Sequence, residues 1–264
     1  MESKAFRIEL VGGVARCTMS GPNMNAMGAE MIGPLMEGLR RVLDDPEVRV
    51  IVIRGDGGNF STGADLTIMG EKMEPELLNS TMRRMGELIY ELHEGPKPYI
   101  AEVDGWAVGG GFGLAMASDI TYATERARFY LSFVRLSLVP DFGSAYFLAQ
   151  RVGVVRAKEI ALSARVVEAD EALRMGMVNR VMPHEEIGEE VMKLAHRLAG
   201  RPPDVLAHTK RFVNAAFKAD LRDQLNLEAY VQSLRVVSPE HREDVRKFLE
   251  KVSGTGKADG EAGR

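Results

Sequence analysis

The sequence predicts an α/β protein, a sheet with crossover connections through the first two thirds of the chain and a helical part after it. Three observations carry this. Apolar runs of strand length alternate with stretches of helical period. Glycine-bearing turns follow three of those runs, at Phe60 to Leu66, at Gly109 to Gly111 and at Pro140 to Ser144. From Ala157 onward the pattern is almost wholly helical.

Taken in order, Phe6 to Leu10 and Val14 to Met19 alternate about Val11-Gly12-Gly13, which signals an opening hairpin. Ala29 to Leu43 places Ile32, Leu35, Met36, Leu39 and Val42 on one helical face, and Asp44-Asp45-Pro46 ends it. Val48 to Ile53 is a β-branched run of the kind found in buried parallel strands. Glu74 to His93 reads as an amphipathic helix, and Tyr99 to Val103 as the next buried strand. Ile120 to Ala123 and Ala127 to Leu131 give short strands, and Val178 to Val181 is the one strand signal in the later part. The expected organisation is a core over 1–199, a helical region over 200–252 and a disordered Gly-rich, charged tail over 253–264.

Composition narrows the function. Across 264 residues, 34 basic and 38 acidic side chains leave a net charge of −4, well mixed and without the basic footprint of a nucleic-acid binder. No window approaches a membrane span, and Met-Glu-Ser-Lys-Ala-Phe-Arg carries no apolar run of signal-peptide length, so a cytoplasmic protein is expected. The single cysteine, Cys17, suits a reducing compartment and reads as a small core residue. His93, His184, His196, His208 and His241 show no metal-ligand spacing, so neither a metal nor a separate cofactor is expected. There is no P-loop and no Gly-x-Ser-x-Gly elbow.

Gly109, Gly110 and Gly111 remove three side chains where an apolar helical segment begins at Leu114. They serve either close packing or the approach of a substrate oxygen to bare N–H groups. Ligands of open α/β sheets gather beyond the carboxyl ends of the strands. The Ala64 and Gly110 N–H groups, one from each of two such turns, are therefore candidate donors to a single oxyanion. Asp65 and Asp119 have capping or packing as their simpler role.

At this point the residues carry a resemblance. Phe60-Ser61-Thr62-Gly63-Ala64-Asp65-Leu66, Val103-Asp104-Gly105-Trp106-Ala107-Val108-Gly109-Gly110-Gly111 and Ala117-Ser118-Asp119-Ile120 resemble the two signature regions of the crotonase superfamily, the enoyl-CoA hydratases and isomerases. Asn25-Ala26-Met27 matches a further element, and the similarity spans nearly the whole chain. The resemblance implies a spiral of β-β-α units, a C-terminal helical region that forms a homotrimer or a dimer of trimers, and acyl-CoA thioester substrates. It implies Ala64 and Gly110 as the oxyanion hole, with Ala26, Asp65, Leu66 and Gly109 in the substrate cradle. Phe248 and Lys251 of a neighbouring copy map to the CoA end, Lys251 toward phosphate. Thr67 stands where the family often has a lysine.

The chain also departs from the family pattern. The two catalytic glutamates of the hydratases map onto Gly113 and Phe133. What remains is Asp141, where several isomerases of the superfamily place a single acid/base group; its alternative role is a helix cap. The stretch Phe133 to Asp141 most resembles the 1,2-epoxyphenylacetyl-CoA isomerase-like enoyl-CoA isomerases, and Phe112, Phe133 and Phe142 form a candidate wall for a ring-bearing acyl group. The expected function is enoyl-CoA isomerisation through a thioester enolate. Hydration or thioester hydrolysis by a rearranged site is one alternative, and a non-catalytic acyl-CoA-binding protein is another.

Overall fold

The computed structural model describes residues 4–69, 74–216 and 218–258. The chain divides into two units, Met1–Ala207 and a second beginning at His208. The division therefore falls inside a helix, eight residues beyond the boundary the sequence suggests at residue 200.

In the first unit the hairpin forms as expected. Strand β1 (Phe6–Val11) pairs antiparallel with β2 (Val14–Met19) across Gly12 and Gly13. The remaining strands of this sheet, β3 (Val50–Gly55), β4 (Tyr99–Val103), β6 (Ile120–Thr124) and β9 (Arg180–Met182), add in parallel, giving the order β1-β2-β3-β4-β6-β9. Each crossover carries helix: α1 (Ala29–Asp44), α2 (Leu66–Met69), α3 (Pro75–Glu94) and α4 (Gly110–Met116).

Both faces of this sheet are buried, and the two-residue period of a strand divides them. Val50 and Val52 of β3 and Ile100 of β4 lie in one core with Ile187, Val191 and Leu194 of helix α8 (His184–Ala199). Ile51, Ile53, Tyr99, Ala101 and Val103 face the larger core opposite. Cys17 belongs to that larger core, and burial pushes its thiol up to about 12, so it is a packing residue.

A second sheet, absent from the sequence reading, sets the site. Strand β5 (Trp106–Val108) pairs in parallel with β7 (Arg128–Tyr130), and β7 pairs antiparallel with β8 (Val166–Glu168). Single bridges extend it on the other side, from Ala107 to Ser61 and from Ala64 to Met27. Each turn of the chain thus gives a strand to the large sheet and a short piece to the small one, the α/β architecture of the crotonase fold. Helices α5 (Ser144–Val152), α6 (Val154–Ser163) and α7 (Ala169–Arg174) complete this unit ahead of α8.

Helix α9 (Pro203–Ala215) spans the boundary, and α10 (Leu221–Val236) and α11 (Pro239–Ala258) form the second unit. Between 201 and 252 none of the described residues is fully buried. Leu221, Leu225, Tyr230, Phe248 and Leu249 are all more than half exposed. Helix α11 continues past Ser253, where the sequence reading begins a tail, and 259–264 lie outside the described residues. Among the described residues no helix is long and apolar enough to cross a membrane.

Candidate active site

The site is built first from backbone. Asn23, Met24 and Asn25 all take left-handed φ values, a conformation that costs most residues and that asparagine tolerates best. The buried Asn25 side chain locks this turn. Its amide donates to the carbonyls of Asp56 at 2.9 Å and Asn59 at 2.8 Å, and its oxygen accepts from the Gly21 N–H at 3.0 Å. Ser61 Oγ donates to the Asn25 carbonyl at 2.7 Å and accepts from the Gly63 N–H at 3.1 Å. Met27 N–H then donates to the Gly63 carbonyl at 2.6 Å.

This network brings two turns together. The ladder between Ser61 and Ala107 is complete, with Ser61 N–H donating to Trp106 and Val108 N–H donating to Ser61. It ends at Gly63, whose φ of 76° turns the chain away. A Cβ on Gly63 would stand 2.6 Å from the Val108 carbonyl oxygen and 2.9 Å from the Gly110 nitrogen. Ala64 and Gly110 therefore lie side by side just past the ladder. Gly110 is the first residue of α4, whose N–H has no intrahelical acceptor, and the Ala64 N–H has no acceptor among the described residues. The three glycines are thus not a turn before a helix starting at Leu114: Gly109 is its cap, and Gly110 and Gly111 are its first turn.

The third turn carries Asp141. Helix α5 starts at Ser144 with Gly143 as its cap, and no side chain caps it, so Asp141 is not serving as a helix cap. Only its carbonyl takes part, accepting from Ser144 N–H at 2.9 Å. The side chain is half-buried, and its Oδ1 is buried with no partner among the described residues. Desolvation raises its pKa from 3.8 to about 6, against a small opposing contribution from its own N–H. Ser144 Oγ, on the same turn, is likewise buried and unpartnered. Sequence reasoning missed Ser144, because a serine opening a helix gives no signal of its own.

Phe142 joins the two halves. Its ring atoms Cε2 and Cδ2 lie 2.9 and 3.0 Å from where a Gly110 Cβ would stand, with Met27 Sδ 3.7 Å from the same point. Met27 belongs to the Asn25-Ala26-Met27 element noted in the sequence, although it is not itself among the candidate site residues. Phe133 is nearly buried, its Cζ 3.8 Å from a Gly109 Cβ position. Phe112 does not belong to this wall. It is fully buried, edge-on to Phe129 at 6.5 Å, because the first turn of α4 aims it into the large core.

The remaining candidates divide. Ala26 is buried beside the Asn25 lock, while Leu66 is more than half exposed. Asp65 Oδ1 accepts from the Thr67 N–H at 3.0 Å and from its hydroxyl at 2.8 Å, so it caps α2, and these bonds hold its pKa low. Asp119 accepts from Tyr99 N–H at 2.7 Å, fixing the start of β4. Phe248, on α11 of the second unit, is exposed. Lys251 lies on the same helix. An open groove of about 850 Å³ between α1 and α3 contains none of these residues. Its Arg40 is already paired in bidentate fashion with Glu91, at 2.7 and 2.8 Å.

This geometry sets two backbone N–H groups without acceptors among the described residues, at Ala64 and Gly110, near the turn that carries a poorly solvated carboxyl. Known proteins share the frame. Residues 9–255 match the family model described as enoyl-CoA hydratase/isomerase. A Rhodobacter capsulatus protein named a probable enoyl-CoA hydratase is 34% identical over 95% of this chain and 97% of its own. The 1,2-epoxyphenylacetyl-CoA isomerase of Escherichia coli K12 is also 34% identical, over 91% of this chain and 94% of its own. A crystal structure from Thermobifida fusca YX, in complex with acetoacetyl-CoA, superposes with a TM-score of 0.80 at 30% identity, covering 89% of this chain and 95% of that one. The chain belongs to the enoyl-CoA hydratase/isomerase, or crotonase, superfamily.

Proposed function

We propose that this protein is an acyl-CoA enzyme working through a thioester enolate, and that its reaction is enoyl-CoA isomerisation with Asp141 as the single acid/base. The observation that carries this reading is the poorly solvated Asp141 carboxyl, with one buried oxygen unpartnered among the described residues and a pKa raised to about 6, in a site where Gly113 and Phe133 supply no second carboxylate. Hydration needs one group to activate water while a proton reaches Cα, a task suited to two acid/base groups. Moving a double bond needs one base that takes a proton and gives it back.

In the proposed step, the thioester oxygen of a 3-enoyl-CoA accepts hydrogen bonds from the Ala64 and Gly110 N–H groups. The Asp141 carboxylate takes a proton from Cα, and the electron pair spreads over the thioester oxygen and the C3–C4 bond. The same carboxyl returns the proton at Cγ, leaving the 2-enoyl-CoA with its atoms unchanged in number. Each backbone donor in such a hole is worth about 2.7 to 4 kcal/mol in the transition state. Ala26, Gly109, Leu66, Phe133 and Phe142 are the proposed cradle, with Asp65 holding its edge through α2. Phe248 and Lys251 are proposed to reach the CoA of a neighbouring copy in a homotrimer or a dimer of trimers. The exposed apolar side chains of α10 and α11 support such an assembly. The complex of the Thermobifida fusca relative with acetoacetyl-CoA supports the substrate class.

The test is proton exchange at Cα and Cγ of straight-chain and ring-bearing enoyl-CoAs in deuterated water, with wild type and Asp141→Asn compared. The expected result is exchange that falls about 10²- to 10⁴-fold in the variant while acyl-CoA affinity stays within a few-fold. Retained turnover in Asp141→Asn removes the assignment. The second reading, hydration by a rearranged site, is favoured by relatives such as the crotonyl-CoA hydratase of Syntrophomonas wolfei. Water addition to a 2-enoyl-CoA by the wild type would establish it.

A further inference from the structure

Phe142 stands where its backbone should not rest. Its φ is 51°, left-handed, in a bulky residue for which that region is unfavourable, and Gly143 beside it is left-handed too. The turn is held there by what it touches. A Cβ on Gly113 would lie 2.8 Å from Phe142 Cβ, 3.1 Å from its carbonyl oxygen and 3.4 Å from Ser144 Cβ. The space a side chain at 113 would need is thus filled by the Phe142 Cβ and carbonyl oxygen, while the ring reaches across to Gly110. Phe142 touches the glycine carrying one proposed oxyanion donor, touches the glycine where a second carboxylate would be rooted, and is bonded directly to Asp141.

Resting on the isomerase reading, we infer that Phe142 determines which reaction the enolate site performs, by keeping water and any second acid/base group out of the space between Gly110, Gly113 and Asp141. Hydration joins the water hydroxyl to Cβ and delivers a proton to Cα. Isomerisation moves one proton between Cα and Cγ and consumes no water. A ring packed against the donor glycine leaves the second route open and blocks the first. Asp141 Oδ1, on the residue bonded to Phe142, is buried with no partner among the described residues.

The experiment supplies trans-3-hexenoyl-CoA and trans-2-hexenoyl-CoA to four proteins and separates the enoyl and 3-hydroxyacyl products by chromatography. The proteins are wild type, Phe142→Gly, Phe142→Ala and the pair Phe142→Gly with Gly113→Glu. Glycine accepts the left-handed backbone, so Phe142→Gly removes the ring without adding strain, and Phe142→Ala is the control for added chain freedom. The expected result is a ratio of hydration to isomerisation at least about tenfold above wild type in Phe142→Gly, raised in Phe142→Ala, and highest in the double variant. An unchanged ratio in both single variants, with Asp141-dependent exchange intact in the wild type, overturns this inference and leaves the isomerase reading standing. A wild type without Asp141-dependent exchange overturns both.

Discussion

The two halves of the site are built on opposite principles. Around Ala64 and Gly110 nearly every polar group is satisfied. Asn25 makes close hydrogen bonds to Asp56, Asn59 and Gly21, Ser61 bridges Asn25 and Gly63, and Thr62 Oγ1 donates to the Asn23 carbonyl at 2.6 Å. Around Asp141 one carboxylate oxygen and the Ser144 hydroxyl are buried without partners among the described residues, and Phe142 is strained. Under the proposed function, a donor pair that meets a charge as it forms works best when fixed in advance, which fits its redundant supports. Under the same proposal, a carboxyl that takes and returns a proton works best when its charged form is poorly solvated. Stability is invested in one half and withheld from the other.

If the donor half is as tightly determined as its bonds imply, the smallest intrusion should be felt in catalysis. Gly63→Ala introduces one methyl at a φ of 76°, aimed at the Val108 carbonyl and the Gly110 nitrogen. Both are backbone atoms and cannot swing aside, so the two donors must separate. The expected loss is about 10²- to 10³-fold in kcat, the effect of removing one oxyanion donor. Steady-state isomerisation beside acyl-CoA affinity checks it. Wild-type kcat in this variant would mean that the donors are not held in register by the Gly63 contact.

Asn25→Ala attacks the supports rather than the donors. It strips the Asp56 and Asn59 carbonyls of a donor and the Gly21 N–H of an acceptor, and leaves an alanine at a φ of 61°. At about 1 kcal/mol for each bond, the expected cost is roughly 2 to 4 kcal/mol. That is a fall in Tm of several degrees for a unit of this size. An unchanged Tm would show that the left-handed turn is held by its neighbours and that the redundancy lies elsewhere.

The donor half was also the more legible one in the sequence. The glycine turns at Gly63 and Gly109 to Gly111 stand out in the sequence, and it is their resemblance to the family's signature regions, with the Asn-Ala-Met element as a third marker, that points to Ala64 and Gly110. The long helices and the buried parallel strands β3, β4 and β6 carry patterns that survive folding. The second sheet did not show, because β5 and β8 have three residues each, too few for alternation to register. Nor did the packing of the acid/base half. Phe112 and Phe142 are the same residue type thirty positions apart, and only the helix that aims one inward and the turn that aims the other at Gly110 tell them apart.

The smallest expected effect bears most directly on the contrast, because it concerns what the poorly solvated carboxyl costs. Burial raises Asp141 from 3.8 to about 6 in the folded protein. Between those values the folded state binds more protons than the unfolded state, so stability falls as pH rises through the window and stays lower above it. A shift of that size is worth roughly 3 kcal/mol unscreened. For a carboxyl still partly open to solvent the penalty is nearer 1 to 2 kcal/mol. Asp141→Asn keeps the shape and removes the charge. Its Tm should therefore exceed that of the wild type at pH 7 to 8, with the difference closing below about pH 4, where Asp141 is protonated in both states. Over the same range the wild-type kcat/KM should decline as pH falls below about 6, because the base is then neutral. Thermal unfolding of both proteins across pH measures the first effect directly. Equal Tm values at neutral pH would mean that the carboxyl is solvated after all, and that the two halves of the site do not differ in the way their hydrogen bonds suggest.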